Sequence, residues 1–434
     1  MDLRESLGRR LLLLDGATGT QLQARGLQPG QTPELWNIQR REDMTAIHRS
    51  YYEAGADLVL SNTFGANRLK LKNCPYTVPE LVTAAVENLR AARDQAGHGW
   101  LGLDIGPTGR LMAPMGDLDF DEAVSAFSET IRAGAAAGAD AVVIETMTDL
   151  YELKAAVLAA RESCDLPVLA TAAFGENGRL LTGGDAAALV SLLEGLGVDA
   201  LGLNCGAGPL QLSATAGQLV RLASVPVIFK PNAGLPHTAA DGAVRYDIGA
   251  DDFAAAVAEA VRLGVAVAGG CCGTTPEHIA ALRSACEGLV PAEIAQRPAI
   301  YISSGAQAVD TRALDLSALS PIAVPDDPDD LLDEVFDRQD EEEPVLRLDF
   351  SGIALPPLEA VEAVQEVSRL PLWLEGADAQ ALEPALRRMN GKAMVTVSGG
   401  DSGLLALLHR FGGVAYDPDS GALTDCKRPR PARS

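Results

Sequence analysis

One pattern constrains the fold of this chain more than any other. Short apolar runs alternate with longer amphipathic, alanine-rich runs from residue 11 to about residue 285, which is typical of parallel strands joined by crossover helices. Eight units in about 275 residues are the count and size of a (β/α)8 barrel. The predicted strands are 11–15, 57–62, 100–105, 141–145, 167–172, 200–204, 226–230 and 265–269, and the predicted helices include 43–54, 79–95, 121–137, 150–163 and 251–263.

Polar residues with metal-binding or substrate-binding chemistry follow strand after strand, which favours a closed barrel over the alternative of a doubly wound open sheet. In an open sheet the binding residues cluster around one switch point, whereas barrel active sites draw on the carboxyl ends of all strands. We therefore predict an α/β fold with a TIM barrel over residues 1–290. The residues concerned are Asp15, Asn62, Asp104, Glu145, Asn204, Cys205, Asn232, Cys271 and Cys272.

The pattern changes beyond residue 290. We expect a linker over 291–325, a second, smaller α/β domain over 326–422 and a disordered basic tail over 423–434. Apolar runs at 345–350, 370–374 and 393–397 alternate with helical patterns at 358–368 and 379–389, which predicts a partial barrel. The acidic stretch at 325–344 is expected to be a solvated surface or connection.

Composition narrows the ligands that this chain is expected to bind. With 59 acidic and 35 basic residues the net charge is −24, which disfavours nucleic acid and anionic membrane surfaces. The first residues include only four consecutive leucines, so no signal peptide or membrane span is predicted, and a cytoplasmic location is expected. Small molecules or proteins are the expected partners, and the oligomeric state is left open.

Three cysteines lie where apolar runs give way to glycine. Cys205 follows the sixth predicted strand, and Cys271 and Cys272 lie between Gly270 and Gly273 after the eighth. Adjacent side chains of a strand point to opposite faces, so both neighbours reach one metal only where the strand has ended, and glycine gives that freedom. Three protein ligands with an open fourth position are typical of catalytic zinc. We predict that the trio binds Zn²⁺ and leaves a position for a substrate thiol, which the metal would deprotonate for attack on a methyl group.

Six segments, in this order, resemble the zinc-dependent homocysteine S-methyltransferases. They are LDGATGT at 14–20, SNTFGAN at 61–67, IETM at 144–147, NC at 204–205, KPNAG at 230–234 and GGCCGT at 269–274. The resemblance covers about residues 8–290. Through GPTG at 106–109 and PMGDL at 114–118, the chain resembles most the homocysteine-binding domain of cobalamin-dependent methionine synthase.

The resemblance implies an enzyme that methylates homocysteine to methionine, with zinc held by Cys205, Cys271 and Cys272. It also implies that Glu145 binds the substrate ammonium, with Asp15 nearby, and that the backbone at 17–19 binds the carboxylate. Anionic side chains suit a cationic amine and backbone N–H groups suit a carboxylate. The expected substrate-binding residues are Asp15, Ala17, Thr18, Gly19, Asn62, Glu145 and Asn204.

Residues from about 325 to 420 resemble the start of the pterin-binding barrel of methionine synthase, notably LPL at 370–372 and ALRRMNGK at 385–392. The strand ends DFSG at 349–352, EGA at 375–377 and TVS at 396–398 depart from that family, which argues against folate chemistry. We expect a truncated, degenerate pterin-binding-like segment that acts as a docking or bracing module.

The methyl donor is the part of the chemistry that the residues constrain least. Because the sequence lacks an Asp-x-His-x-x-Gly motif for cobalamin, we expect methylcobalamin carried by a separate corrinoid protein. Three alternatives stay open: a small-molecule donor such as S-methylmethionine, S-adenosylmethionine or betaine; the reverse reaction, which would charge a corrinoid partner; and a non-catalytic zinc- and thiol-binding interaction protein.

Overall fold

The computed structural model describes residues 2–238, 244–292, 294, 299–352 and 355–431. Its first part contains eight parallel strands in one sheet. Seven of them are β1 (Leu12–Leu13), β2 (Leu58–Leu60), β3 (Trp100–Ile105), β4 (Ala141–Met147), β5 (Val168–Ala172), β6 (Ala200–Asn204) and β7 (Val227–Lys230). A short antiparallel hairpin of β8 (Pro236–Thr238) and β9 (Val244–Tyr246) follows, and then the eighth strand of the sheet, β10 (Val267–Ala268).

The sheet closes on itself, which confirms the (β/α)8 prediction. The strand order is β1-β10-β7-β6-β5-β4-β3-β2, and a parallel bridge between Leu14 and Leu58 joins the two ends. A doubly wound sheet would have two open edges, so that alternative is wrong. Inward-facing side chains of seven strands form one apolar cluster that fills the lower barrel, including Leu12, Leu58, Val143, Leu169, Ala200, Ile228 and Val267.

Helices surround the barrel because each has one apolar face that packs against the outer side of the strands. Several begin at a side-chain cap: a Thr77–Glu80 capping box opens the helix of 78–96, and Asp119 and Asp149 cap the next two. The helices are α1 (Leu3–Ser6), α2 (Thr18–Ala24), α3 (Trp36–Gln39), α4 (Arg41–Glu53), α5 (Val78–Ala96), α6 (Phe120–Ala136), α7 (Leu150–Ser163), α8 (Ala186–Gly195), α9 (Pro209–Leu222), α10 (Ala250–Arg262) and α11 (Pro276–Ala285). No helix among the described residues is long and apolar enough to cross a membrane.

The second part of the chain is a smaller α/β unit with two sheets. Its strands are β11 (Tyr301–Ser304), β12 (Ala308–Asp310), β13 (Ile322–Ala323), β14 (Leu346–Asp349), β15 (Leu372–Glu375), β16 (Gly391–Lys392), β17 (Met394–Thr396), β18 (Gly413–Tyr416) and β19 (Leu423–Cys426). A six-stranded sheet has the order β13-β14-β15-β17-β18-β19, parallel except for the last pair, and β12-β11-β16 form the other sheet. The helices are α12 (Pro328–Asp340), α13 (Pro357–Val367), α14 (Ala379–Arg388) and α15 (Ser402–Phe411).

The structure differs from the linker expected over 291–325. This stretch contains β11, β12 and β13, and it covers the face of the six-stranded sheet that its own helices leave open. Ile302 and Leu319 form a buried cluster there with Trp373, Met394 and Val414. The stretch is ordered because a partial barrel has no opposite wall, so another apolar segment must cover its inner face. We call residues 299–323 the cover segment.

The acidic stretch at 325–344 is mostly the helix α12, which buries Leu331 and Val335 and turns its acidic residues outward, so the expected solvated surface is confirmed. One further expectation needs correction. The tail predicted over 423–434 is ordered at its start, because 423–426 form β19, which pairs with β18 and buries Cys426. Residues 432–434 of that tail lie outside the described residues.

The second part packs against the helices α6, α7 and α8 of the barrel. The fully buried Lys154 of α7 donates hydrogen bonds to the carbonyls of Leu386 (2.8 Å) and Met389 (2.6 Å), at the end of α14. Arg388 forms an ion pair of 2.6 Å with Asp119, the residue that caps α6. These polar contacts supplement apolar packing, so the second part lies against the outside of the barrel.

Candidate active site

The structure brings the three predicted cysteines together at the carboxyl ends of β6 and β10. Their sulfur atoms all lie within 4.8 Å of one another, and Cys205 Sγ is 4.0 Å from Cys272 Sγ. Tetrahedral zinc with bonds of about 2.3 Å to sulfur requires sulfurs about 3.8 Å apart. The three thiols therefore fit a zinc ion as three of its four tetrahedral ligands.

Backbone conformation explains how the two neighbouring cysteines reach one point. The strand β10 ends at Ala268, and Gly273 then adopts a φ of +82° with the ring of Tyr246 packed where a Cβ would lie. Cys205 itself has a φ of +59°, an uncommon conformation for a residue other than glycine. Such backbone strain at Cys205 is typical of a functional site.

Without a metal ion, the three cysteines differ in their pKa values. Hydrogen bonds from Cys271 and Cys272 to the Cys205 thiolate lower the pKa of Cys205, and the same interaction raises the pKa of its two partners. Asn232 donates a further hydrogen bond to Cys205. The arrangement therefore favours one thiolate before any cation binds, which is the form that ligates a metal.

Below the cysteines lies a buried cluster of charges. Lys230 Nζ is 2.8 Å from Glu145 Oε2 and 3.4 Å from Asp15 Oδ1, and all three side chains are at least nine-tenths buried. Burial raises the pKa of Asp15 to about 6, although Lys230 opposes that change. Burial also works against the charge of Lys230, but Glu145 and Asp15 outweigh it and raise its pKa. The cluster is thus an anionic region that carries one fixed cation.

Asn204 connects the cysteine trio with this charged cluster. Its side-chain oxygen accepts hydrogen bonds from the Thr146 N–H (2.7 Å) and the Thr171 hydroxyl (2.7 Å), and its amide nitrogen donates to the Thr146 hydroxyl (2.7 Å). The same nitrogen lies 3.8 Å from Cys271 Sγ. Thr146 has a φ of +63°, a genuine outlier for a β-branched residue. Asn204 therefore holds the strained backbone next to Glu145.

The family model for homocysteine S-methyltransferases matches residues 12–286, which is more than half of the 434 residues. The chain belongs to the homocysteine S-methyltransferase family. The class of enzyme is therefore a methyltransferase. The matched residues are those of the barrel, including all three cysteines.

Two curated relatives of this methyltransferase are mycobacterial methionine synthases. The identity is 37% over 298 residues with the protein of Mycobacterium tuberculosis and 36% over 313 residues with that of Mycobacterium leprae. The alignments cover 64% and 67% of this chain but only 25% and 26% of those proteins, so the chain spans about a quarter of their length.

A solved structure shares the barrel. The metallated form of the homocysteine methyltransferase MmuM from Escherichia coli is 25% identical with a TM-score of 0.54, over 64% of this chain and 96% of that one. The apo form of the same enzyme is 26% identical to this chain, with a TM-score of 0.52. The alignment thus accounts for nearly all of MmuM and for the barrel-sized share of this chain.

The other predicted substrate-binding residues, Ala17, Thr18, Gly19 and Asn62, differ in whether their polar groups already have partners. The N–H of Ala17 already donates to the Thr274 hydroxyl (3.2 Å), whereas Thr18 and Gly19 begin α2, whose first N–H groups have no partner within the helix. Asn62 donates to the Pro33 carbonyl (2.9 Å) and to Asn37, so it anchors the loop before α3.

Sequence reasoning missed several residues of this methyltransferase site. Lys230 was visible as a lysine at the end of an apolar strand, a signal for a buried ion pair. Thr146 and Tyr246 gave no such signal, because their roles come from backbone conformation and from a hairpin that folds over Gly273.

Proposed function

We propose that this methyltransferase transfers a methyl group to the sulfur of homocysteine and that Cys205, Cys271 and Cys272 hold the zinc ion it needs. The observation that carries the proposal is the trio of sulfurs within 4.8 Å at the mouth of the barrel. The metallated MmuM structure and the methionine synthase relatives support it. Zinc bound there would favour the thiolate form of the substrate near neutral pH.

The residues of the chain bind and orient the amino-acid part of the substrate. Glu145 and Asp15 present buried carboxylates to the ammonium group, while Lys230 keeps them in place and limits their mutual repulsion. The N–H groups of Thr18 and Gly19, which have no partner within α2, would bind the substrate carboxylate at the start of this helix. A Cβ on Gly19 would meet nothing within 4 Å, so there is space for a ligand.

Asn204 and Asn62 act as positioning residues in this proposal. The amide of Asn204 is fully buried and its hydrogen bonds go to Thr146 and Thr171, which fixes the end of β4 where Glu145 lies. Asn62 fixes Pro33 and, through Asn37, the short helix α3 on the opposite side of the mouth. Neither residue needs to touch the substrate in order to affect its binding.

The donor that we propose is methylcobalamin carried by a separate corrinoid protein. The relatives that match this chain are methionine synthases, and the loops around the mouth expose large apolar side chains that suit contact with a protein. These side chains follow β3, β5, β6 and β7, and they are Leu111, Met115, Leu181, Leu210 and Leu235, each between 43% and 78% exposed.

The second part of the chain acts as a brace in this proposal and not as a folate site. Polar side chains at the strand ends of its sheet are already engaged with one another: Arg347 forms two hydrogen bonds of 2.9 Å with Glu375, and Glu375 accepts a third from Thr396 (3.1 Å). The cover segment occupies the inner face of the sheet, where a complete barrel would have its core.

The test is a methyl-transfer assay on zinc-loaded protein with homocysteine and each donor in turn: a methyl-corrinoid protein, S-methylmethionine, S-adenosylmethionine and betaine. We expect methionine with the corrinoid protein. Cys272→Ser should abolish the activity. Cys286→Ser should keep it, because Cys286 is buried at the end of α11, outside the site.

The outcomes separate the alternatives. Activity with a small-molecule donor and none with the methyl-corrinoid protein would exclude the corrinoid partner. Demethylation of methionine under the same conditions would show that the reaction runs in reverse. Binding of homocysteine without transfer from any donor would refute the enzyme and favour a non-catalytic zinc- and thiol-binding protein.

A further inference from the structure

Asp104 is a buried carboxylate inside the barrel to which no role has been assigned above. It lies on β3 between Leu103 and Ile105, which both face the outer apolar layer, so its side chain faces the barrel interior. It is only 8% exposed. Among the described residues, its Oδ1 atom has no hydrogen-bond partner and the carboxylate forms no ion pair within 4 Å. A buried charge without a partner costs several kcal/mol, so such a group calls for a ligand.

The charges around Asp104 show which kind of ligand is missing. Three carboxylates, Asp15, Asp104 and Glu145, face one interior ammonium, Lys230, which is already paired with the other two. The next lysine, Lys70, acts on Asp104 only at longer range. With all three acids ionised, this cluster has two more negative than positive charges. A second cation would compensate half of that excess.

The missing cation is an ammonium group and not a metal ion. Among the described residues, only the three cysteines have ligand atoms close enough together to hold a metal, and the three carboxylates do not form such a group. An ammonium has three N–H donors that can point to separate acceptors, which suits carboxylates spread over three strands.

We propose that Asp104 is a further substrate-binding residue, and that its carboxylate receives the ammonium group of the amino acid whose thiol meets the cysteine trio. This assignment rests on the proposed function. Glu145 and Asp15 share Lys230, whereas Asp104 is the acid of the cluster without a cation. It therefore distinguishes an amino-acid thiol from a simple thiol.

The electrostatics of the ligand-free barrel are consistent with this role. Burial, followed by repulsion from Glu145, raises the pKa of Asp104 well above its usual value. In the ligand-free barrel this favours the neutral acid, whereas an ammonium beside Asp104 would favour the carboxylate. Binding of the cation and ionisation of Asp104 are therefore coupled.

The test compares two thiols that differ in one group. L-homocysteine carries the ammonium, and 4-mercaptobutyrate has the same carbon chain, thiol and carboxylate without it. Their dissociation constants are measured by calorimetry on zinc-loaded wild-type protein, Asp104→Asn, Asp104→Ser and, as a control of equal charge change, the exposed Asp165→Asn.

We expect Asp104→Asn to weaken homocysteine binding by about 10- to 100-fold, the loss expected for a charge-assisted hydrogen bond. Binding of 4-mercaptobutyrate should change by less than about threefold, and Asp165→Asn should change neither. Because Asp104 Oδ1 has no hydrogen-bond partner among the described residues, the substitution breaks no contact of that atom, and the variant should fold as well as the wild type. Asp104→Ser provides a smaller neutral side chain should the amide of asparagine itself bind the ligand.

Each outcome decides the matter. If the wild type binds homocysteine and both Asp104 variants bind it equally well, or if they lose both thiols to the same extent, the assignment of Asp104 is wrong while the proposed function stands. If the zinc-loaded wild type binds neither thiol, the proposed function fails and the assignment fails with it.

Discussion

Replacement of Asn204 by alanine should destabilise the barrel and weaken its substrate site through the same hydrogen bonds. The side chain has no exposed surface and makes three hydrogen bonds of 2.7 Å, two to Thr146 and one to Thr171. Alanine would remove all three hydrogen bonds, and each contributes about 1 kcal/mol. We therefore expect the free energy of unfolding to fall by roughly 3 kcal/mol.

The same substitution should reach the substrate through Thr146. This residue has a φ of +63°, a strain of about 1–3 kcal/mol that persists only while its surroundings hold it. Without Asn204, Thr146 can relax toward ordinary strand geometry and move Glu145 with it. Homocysteine affinity should fall, whereas zinc content should stay unchanged because the three cysteines remain.

The assay is urea unfolding followed by circular dichroism, together with zinc analysis and calorimetry. Thr171→Val is the matched control, because it removes one of the three hydrogen bonds and keeps the shape of the side chain, so its cost should be about 1 kcal/mol. A loss below 1 kcal/mol in Asn204→Ala, with homocysteine affinity unchanged, would refute the reasoning.

Three further predictions concern the metal, a buried histidine and the contact between the two parts. Cys272→Ser should lower bound zinc well below one ion per chain in metal analysis, whereas Cys286→Ser should keep it; full zinc in both would exclude ligation by Cys272. Burial lowers the pKa of His48 to about 4, so the unfolded chain binds a proton below about pH 6.5 while the folded chain does not, and stability falls between pH 6.5 and 4. The loss amounts to about 2 kcal/mol at pH 5, and His48→Leu should remove it. If urea unfolding gave the wild type and His48→Leu the same dependence of stability on pH, the prediction would be wrong. Asp119→Ala should lower the free energy of unfolding by about 1–2 kcal/mol, because it removes a helix cap and the ion pair with Arg388. In an Arg388→Gln background the same substitution should cost less, and an equal cost would show that the ion pair does not contribute to stability.

The barrel could be predicted from sequence because its pattern is local and repeated. The predicted strands 100–105 and 200–204 and the helix 150–163 have the bounds that the structure shows. Each buries one face against its neighbours, and this leaves a direct trace in the apolar spacing. The cysteine trio could be predicted for a similar reason, since glycine marks the point where each strand ends.

The remaining features depend on contacts that sequence spacing does not encode. The strand β11 pairs with β16, almost ninety residues away, so the cover segment looks like a connection when it is read alone. The partners of Lys230 and Asn204 are also far away in sequence: Glu145 precedes Lys230 by 85 residues, and Thr146 precedes Asn204 by 58. Inward-facing side chains from different strands meet only once the barrel has closed. The hydrogen bonds and ion pairs of the barrel interior therefore become visible only in the folded structure.

The cover segment also decides where this protein can be cut. A fragment that begins at residue 326 would keep all four helices of the second part yet expose Trp373, Met394 and Val414, which Ile302 and Leu319 now shield. Such a fragment should aggregate, since a bare apolar sheet face recruits other copies of itself. A fragment that begins before residue 299 retains its own shield, so that position is the sounder boundary for expressing the second part separately.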